Sequence, residues 1–141
     1  KVWVATKKTV SWLGEMYYET AEALLDRLAQ KTVPNGLDYV AELEYGRLKK
    51  KVDHLACFAT GMFALGAINS DNPEIRSRHL NFAKGFGEFC YQMYARMPSK
   101  LSPEFVEADD YKDFKPPDAV SNRYFALRPG AWAQLIVGFL F

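Results

Sequence analysis

The chain has 141 residues, of which 49% are hydrophobic and 15% aromatic, and its formal net charge is +1. This length is enough for one domain with a core, and the hydrophobic content excludes an intrinsically disordered chain. The near-neutral charge gives no electrostatic support for a nucleic acid partner. No apolar run approaches the ~18 residues that cross a bilayer, so a membrane anchor, if there is one, is expected outside this chain.

The N-terminal part of the chain predicts a helix followed by a β-hairpin. Residues 1–12 are ambiguous, whereas apolar side chains recur at helical spacing over residues 15–30. Residues 33–36 contain Pro and Gly and break this helix. Residues 37–43 then alternate between apolar and polar side chains, which predicts a strand, and residues 47–52 follow as its possible hairpin partner.

The middle of the chain predicts two antiparallel helices. Asp53 is the expected N-cap of the first helix, and its expected buried face consists of Leu55, Phe58, Met62 and Leu65. A short loop over residues 69–73 leads to a longer helix over residues 74–97. The apolar stripe on this second helix is the most regular in the chain, and its members are Leu80, Ala83, Phe86, Cys90, Met93 and Met97.

The C-terminal part predicts a loop and then a last helix. Residues 99–122 contain prolines and many acidic side chains, which favours an extended loop. The last helix is expected to open at Arg128 and Pro129, because proline is favoured in the first turn of a helix. The apolar run over residues 135–141 is expected to pack against further sequence.

Metal and phosphate chemistry find little support in the sequence. The two histidines, His54 and His79, are far apart, and no CxxC or HxxxH spacing is present, so no residue is assigned to a metal. The Gly85-Phe86-Gly87 segment falls inside a helical stripe. It therefore does not have the strand-loop-helix context of a phosphate-binding loop.

Four carboxylates are candidates for a functional site. Glu15 and Glu19 are four residues apart and share one helical face. Asp53 stands at a predicted helix start, and Glu104 follows a proline in the predicted loop. Taken singly, each residue type and position favours a cap or a solvated surface group over a functional role. Gathered at one end of a helical array, they would suit a pocket that binds hydroxyl groups, and spacing alone does not decide between these alternatives.

The two cysteines lie on opposite members of the predicted helix pair. At ~1.5 Å per residue, Cys57 and Cys90 come within about 5 Å of each other in height. This spacing permits a disulfide. Two free buried thiols are the alternative that spacing leaves open.

The sharpest motif in the chain is KVDHLACF at residues 51–58. Further distinctive blocks stand at residues 13–19, 33–43, 61–67, 90–94, 101–106 and 124–129. In this order the blocks resemble the class I α-1,2-mannosidases of glycoside hydrolase family 47. The resemblance implies an all-α fold, part of an (α/α)7 barrel with a short β-hairpin between helices, and makes residues 1–141 a partial catalytic-domain-like segment.

The resemblance also implies a substrate, a cofactor and a compartment. Members of the family remove α-1,2-linked mannose from high-mannose N-glycans in the endoplasmic reticulum and Golgi, with inversion and with bound calcium. A high-mannose N-glycan is therefore the expected partner. The calcium-ligand segment and the segment with the main catalytic acid are expected outside this chain, in further sequence or in another chain that completes the barrel.

Residue by residue, the resemblance implies a catalytic role for Glu15, where the family has Asp. It implies substrate binding by Glu19, Asp53, His54, Glu104 and Arg128. Where the family has two Glu residues after Arg128, one of them regarded as the base, this chain has Gly130 and Ala133. We therefore expect the chain alone to lack full activity. The alternative is a non-catalytic module that binds mannose glycans or a partner protein.

The segment over residues 90–94 is similar to the family's second cysteine segment. The resemblance thus implies a disulfide between Cys57 and Cys90. Such a bond is typical of an oxidising compartment such as the lumen of the secretory pathway.

Overall fold

The computed structural model describes residues 1–98 and 100–115, and in this part of the chain four helices are combined with small antiparallel sheets. The helices are α1 (Val2–Ala5), α2 (Ser11–Arg27), α3 (Phe58–Ile68) and α4 (Pro73–Ala95). The strands are β1 (Ala29–Lys31), β2 (Asp38–Val40), β3 (Glu42–Glu44), β4 (Arg47–Lys49), β5 (Lys51–Asp53), β6 (Phe105–Asp109) and β7 (Asp113–Lys115). None of the helices in residues 1–98 and 100–115 is long and apolar enough to cross a membrane.

Helices α3 and α4 form the predicted pair, joined by a short loop. The side chain of Asn72 caps α4 by accepting hydrogen bonds from the backbone N–H groups of Glu74 and Ile75, and Pro73 occupies the first turn. The expected buried face of α3 was wrong in part, since Leu55 is 49% exposed and Met62 is 36% exposed. Nearly every residue of this helix is apolar or small, so periodicity could not select the face that packs.

The residues of α3 that face the core are Thr60, Phe63, Ala64, Gly66 and Ala67. On α4 the predicted stripe is confirmed in its middle, where Ala83, Phe86, Cys90 and Met93 are buried. Leu80 and Met97, at the two ends of that stripe, are only half-buried. Phe82 and Phe89 widen the stripe, and the Phe89 ring stacks on Tyr39 of β2 with ring centroids 5.7 Å apart.

The predicted hairpin is present as β3 and β4. Leu43 faces Leu48 across the pair, and the turn residues Tyr45 and Gly46 both have positive φ, as a type I′ turn requires. The helix expected to reach residue 30 instead ends at Arg27, and β1 follows it and pairs with β2. The strand expected over residues 37–43 is therefore divided between two separate sheets.

The expected loop over residues 99–122 was wrong where the structure describes it. This region contains β6, which pairs with β5, and β7, which pairs with β6. The alternation of apolar and polar residues in β6 is short, and its partner strand β5 lies about fifty residues earlier in the chain. The local composition therefore gave no clear signal for β6. The all-α prediction therefore holds for the helical framework but omits most of the strands. The predicted last helix, with Arg128, lies outside the described residues.

Candidate functional site

The candidate site centres on the point where β5 passes into α3. Strand β5 ends at Asp53, and His54 to Cys57 form a single 3-10 turn before α3 begins at Phe58. Asp53 is the N-cap residue of this turn, as the sequence predicted, but its side chain makes no capping hydrogen bond. The Asp53 carboxylate instead pairs with Lys51, two residues back on the same strand.

The sheet brings Glu104 to this turn from fifty residues away. Asp53 is opposite Phe105 in the antiparallel pair of β5 and β6. Immediately beyond, the backbone N–H of His54 donates a hydrogen bond to the carbonyl of Glu104 over 2.8 Å. Three of the predicted site residues, Asp53, His54 and Glu104, are thus placed side by side by backbone pairing.

His54 forms the interior of this group. Its side chain is only 2% exposed, and its Nε2 atom shares a hydrogen bond with the hydroxyl of Tyr94 on α4. The two rings also meet edge to face, with centroids 5.4 Å apart. The imidazole is therefore held by α4 as well as by its own turn.

A disulfide fixes the far end of the same turn. Cys57 is bonded to Cys90 of α4, with their Cα atoms 5.9 Å apart. This confirms the expected pairing and excludes the alternative of two free thiols, because neither cysteine is free. The turn that bears His54 is consequently anchored to α4 at both ends.

Lys51 places a positive charge on the outer side of the group formed by Asp53, His54 and Glu104. Its ammonium lies 3.2 Å from carboxylate oxygens of both Glu42 and Asp53, and 4.8 Å from the centroid of the Phe105 ring. Burial alone lowers the pKa of Lys51, but the hydrogen bonds with the two carboxylates outweigh burial and raise this pKa. The lysine therefore stays cationic and keeps Asp53 oriented as a hydrogen-bond acceptor.

The structure does not join Glu15 and Glu19 to this group. Both side chains are exposed on α2, and among the described residues neither makes a hydrogen bond or an ion pair. Glu19 lines a shallow cleft of about 450 Å³ between α2 and the β3–β4 hairpin, where Leu43 forms the opposite wall. The cleft therefore places Glu19 on the side of α2 that faces Leu43 of the hairpin.

Two contributors to the site, Lys51 and Tyr94, were not found from sequence. Lys51 and Asp53 are two residues apart on one strand, so period-two spacing alone would have placed them on the same face. Tyr94 follows Cys90 by one helical turn, and His54 precedes Cys57 by one 3-10 turn. Once Cys57 and Cys90 are paired, these spacings predict that His54 and Tyr94 also lie next to each other.

The described residues do not fit a calcium site. Within residues 1–98 and 100–115, no three His, Cys, Asp or Glu side chains are close enough to hold a metal ion. Hard cations such as calcium need six to eight oxygen ligands.

Comparison with known proteins gives a consistent result. The model of glycosyl hydrolase family 47 matches residues 1–133. The chain is 35% identical over 140 residues to mannosyl-oligosaccharide alpha-1,2-mannosidase IA of Drosophila melanogaster, covering 97% of the chain and 20% of that protein. It is also 35% identical over 136 residues to the endoplasmic reticulum mannosyl-oligosaccharide 1,2-alpha-mannosidase of Homo sapiens, covering 92% of the chain and 18% of that protein.

A solved structure supports the fold. The alpha-1,2-mannosidase from Trichoderma reesei superimposes with a TM-score of 0.68 at 18% identity, over 89% of this chain and 28% of that chain. The described part of the chain thus has the fold of a segment of that protein. The chain spans about a fifth of the length of the curated relatives it matches.

Proposed function

The chain belongs to glycosyl hydrolase family 47, and from this premise we propose that residues 1–141 form part of the catalytic domain of an α-1,2-mannosidase that trims high-mannose N-glycans. The helices would supply part of an (α/α)7 barrel. The observation that carries the proposal is the grouping of Asp53, His54 and Glu104 at the junction of two strands and a turn. Such a group offers several hydrogen-bonding atoms to the hydroxyls of one sugar.

In this proposal each site residue has a role that its position allows. Asp53 lies at the open side of the group, and His54, which is almost fully buried, is its innermost member. Glu104 completes the group from the residue immediately before β6. Arg128 is proposed to bind the same sugar, and Glu19 a neighbouring part of the glycan, since it faces the cleft beside the hairpin.

Glu15 is proposed as one of the two carboxyl groups that inversion needs. Inverting glycosidases use a pair about 6.5–9.5 Å apart, one to protonate the leaving oxygen and one to activate water. Glu is one methylene longer than the Asp of the family, and catalytic placement is sensitive to shifts of about 1 Å. At the position of the family's likely base, Gly130 has no side chain, and the loss of a general base is typically worth about 10²–10⁴ in rate.

The chain alone is therefore proposed to bind mannose without cleaving it at a useful rate. A second candidate function follows from the same observation. A non-catalytic member of the family, which holds mannose glycans or a partner protein, would also have no use for carboxylates at Gly130 and Ala133. The secretory pathway is the proposed location for either function, because a disulfide suits an oxidising lumen and one relative is named for the endoplasmic reticulum.

The experiment that tests the proposal is incubation of the purified chain with a high-mannose N-glycan, followed by mass spectrometry of the released mannose. We expect release below about 0.1 per second, which is a hundredfold under a typical enzyme turnover of about 10 per second. Faster release would overturn the proposed loss of activity, and the variants Glu19→Gln and Glu104→Gln would then identify the substitute base.

The same assay on a longer reading frame that contains this chain separates the two candidates. Release of mannose by the longer protein supports the mannosidase. Retention of the glycan without release supports the binding module.

A further inference from the structure

The 3-10 turn at the candidate site is attached to α4 by two different bonds. At its C-terminal end, Cys57 is bonded to Cys90. At its N-terminal end, the imidazole of His54 shares a hydrogen bond with the hydroxyl of Tyr94, one turn further along α4. The turn and α4 run in opposite directions here. His54 and Cys57, three residues apart on the turn, therefore lie beside Tyr94 and Cys90, which are four residues apart on the helix.

The disulfide already fixes the backbone of the turn, so the second attachment acts on the side chain of His54. A backbone hydrogen bond to Glu104 also fixes the main chain of this residue. These backbone contacts do not fix the rotation of the imidazole about its own side-chain bonds. The hydroxyl of Tyr94 contacts the imidazole directly and restricts this rotation.

Tyr94 suits this task because it is itself immobile and neutral. Its side chain is 7% exposed, on a helix whose neighbouring residue Met93 is fully buried. Burial raises the pKa of the Tyr94 hydroxyl, so the hydroxyl keeps its proton throughout the physiological range. A neutral hydroxyl can share a hydrogen bond with Nε2 in either imidazole tautomer, so the contact holds the ring in one orientation whichever nitrogen carries the proton.

We propose that Tyr94 is a positioning residue that fixes the ring orientation of His54, and through His54 the hydroxyl-binding group of Asp53, His54 and Glu104. The effect on sugar binding depends on the proposed function. The effect on the ring does not, since it is argued from the observed contact between Tyr94 and His54 and not from a ligand.

The test uses nitrogen-15 NMR of the histidine rings in the whole chain, which has only two histidines. We compare the wild type with Tyr94→Phe, which removes the hydroxyl and keeps the ring. Tyr91→Phe is the matched control, because Tyr91 lies on the same helix and is 42% exposed. A His79→Gln variant assigns the two sets of ring signals.

We expect Tyr94→Phe to shift the ring nitrogen signals of His54 and their dependence on pH, while those of His79 stay unchanged. Tyr91→Phe is expected to shift neither ring. Unchanged His54 signals in Tyr94→Phe would overturn the proposal and leave Tyr94 with a packing role only. Should Tyr94→Phe fail to fold, the wild type still decides, because the proposal requires a slowly exchanging Tyr94 hydroxyl proton with a nuclear Overhauser effect to the His54 ring.

A second readout links the ring to the sugar. Tyr94→Phe is expected to weaken the binding of α-1,2-mannobiose by about threefold to tenfold, as the loss of one hydrogen bond implies. If Tyr94→Phe alters the His54 signals but binds mannobiose as tightly as the wild type, the link to sugar binding is overturned and the positioning of the ring stands. A wild type that binds no mannobiose contradicts the proposed function instead, and the ring signals then still decide the positioning.

Discussion

Arg96, which follows α4, donates a hydrogen bond of 2.8 Å to the carboxylate of Asp113, which is only 1% exposed. The same carboxylate accepts hydrogen bonds from the Thr32 hydroxyl at 2.8 Å and from the backbone N–H and side-chain amide of Asn35 at 2.9 Å and 2.7 Å. Asp113 therefore ties the loop after β1 to the end of α4 and to β7. These contacts hold the sheet that positions Glu104.

The Asp113 carboxylate should make stability depend on acid. Burial raises the pKa of Asp113, but the hydrogen bonds from Arg96, Asn35 and Thr32 outweigh burial and lower the pKa to about 2. Because the pKa of Asp113 is lower in the folded state, the group stabilises the protein at pH values above its unfolded-state pKa of about 4. This stabilisation is lost as the pH falls towards the folded-state pKa of about 2. The expected contribution near neutral pH is about 2 kcal/mol.

Urea unfolding of Asp113→Asn against wild type measures this contribution. We expect a loss of about 2 kcal/mol at pH 7 that shrinks as the pH is lowered below about 4. Asp110→Asn is the control, because the Asp110 side chain is 66% exposed and its partner is the surface residue Lys50. Equal stability of the two variants at pH 7 would contradict the role given to Asp113.

The disulfide should contribute more than any single hydrogen bond. Cys57 and Cys90 are 33 residues apart in sequence, and closing a loop of this length stabilises the folded state by about 3–4 kcal/mol in the chain-entropy model. Replacing both cysteines by serine is expected to lower the free energy of unfolding by about this amount, measured in urea without reductant. A thiol-specific label that modifies both residues in the denatured, unreduced wild type would contradict the bond itself.

The Tyr17 hydroxyl ties α2 to α4 away from the site. It shares a hydrogen bond of 2.8 Å with His79, whose other ring nitrogen lies 2.8 Å from the Glu22 carboxylate. Tyr17→Phe leaves a buried imidazole nitrogen without this partner, so we expect a loss of about 1–3 kcal/mol. Tyr18→Phe serves as the control, since among the described contacts Tyr18 makes ring contacts but no hydrogen bond.

Thermal unfolding of the two variants, compared with wild type, checks this prediction. Gly66→Ala provides a second route to the same effect, because a Cβ there would stand 1.8 Å from the Tyr17 hydroxyl and displace it from His79. A Tyr17→Phe variant as stable as Tyr18→Phe would show that the hydrogen bond contributes nothing measurable.

Calcium should not bind tightly to the chain alone. Among residues 1–98 and 100–115 no cluster of three ligating side chains is present, and calcium prefers six to eight oxygens. Isothermal titration calorimetry in a calcium-free buffer is expected to show no binding at micromolar concentrations. A micromolar dissociation constant would require ligands that the described residues do not offer together.

The sequence predicted the α3–α4 pair well, because the stripe through Phe86 and Met93 is regular and the connecting loop is short. It also supplied the pairing of Cys57 with Cys90, once the resemblance was added to the helix geometry. The strands were harder, since β6 is defined by its pairing with β5 and not by its own composition. Long-range pairing of this kind leaves little local signal.

For the site, the sequence supplied residues but not their grouping. Asp53 and Glu104 are brought together by the register of β5 and β6, which no local pattern specifies. Lys51 and Tyr94 were missed because a lysine in the run of residues 49–51 suggests a solvated face, and a tyrosine beside the predicted stripe suggests core packing. Only the structure shows that each contacts a site residue.

The binding of α-1,2-mannobiose, followed by NMR on the whole chain, tests the central claim most directly. We predict a dissociation constant on the order of 1 mM, with the largest signal changes at Asp53, His54 and Glu104. Glu104→Gln is expected to abolish these changes, whereas Glu107→Gln, at an exposed position on β6, is expected to preserve them. Absence of binding at about tenfold higher sugar concentration, or equal binding by both variants, would contradict a mannose site at the junction of β5, β6 and the turn.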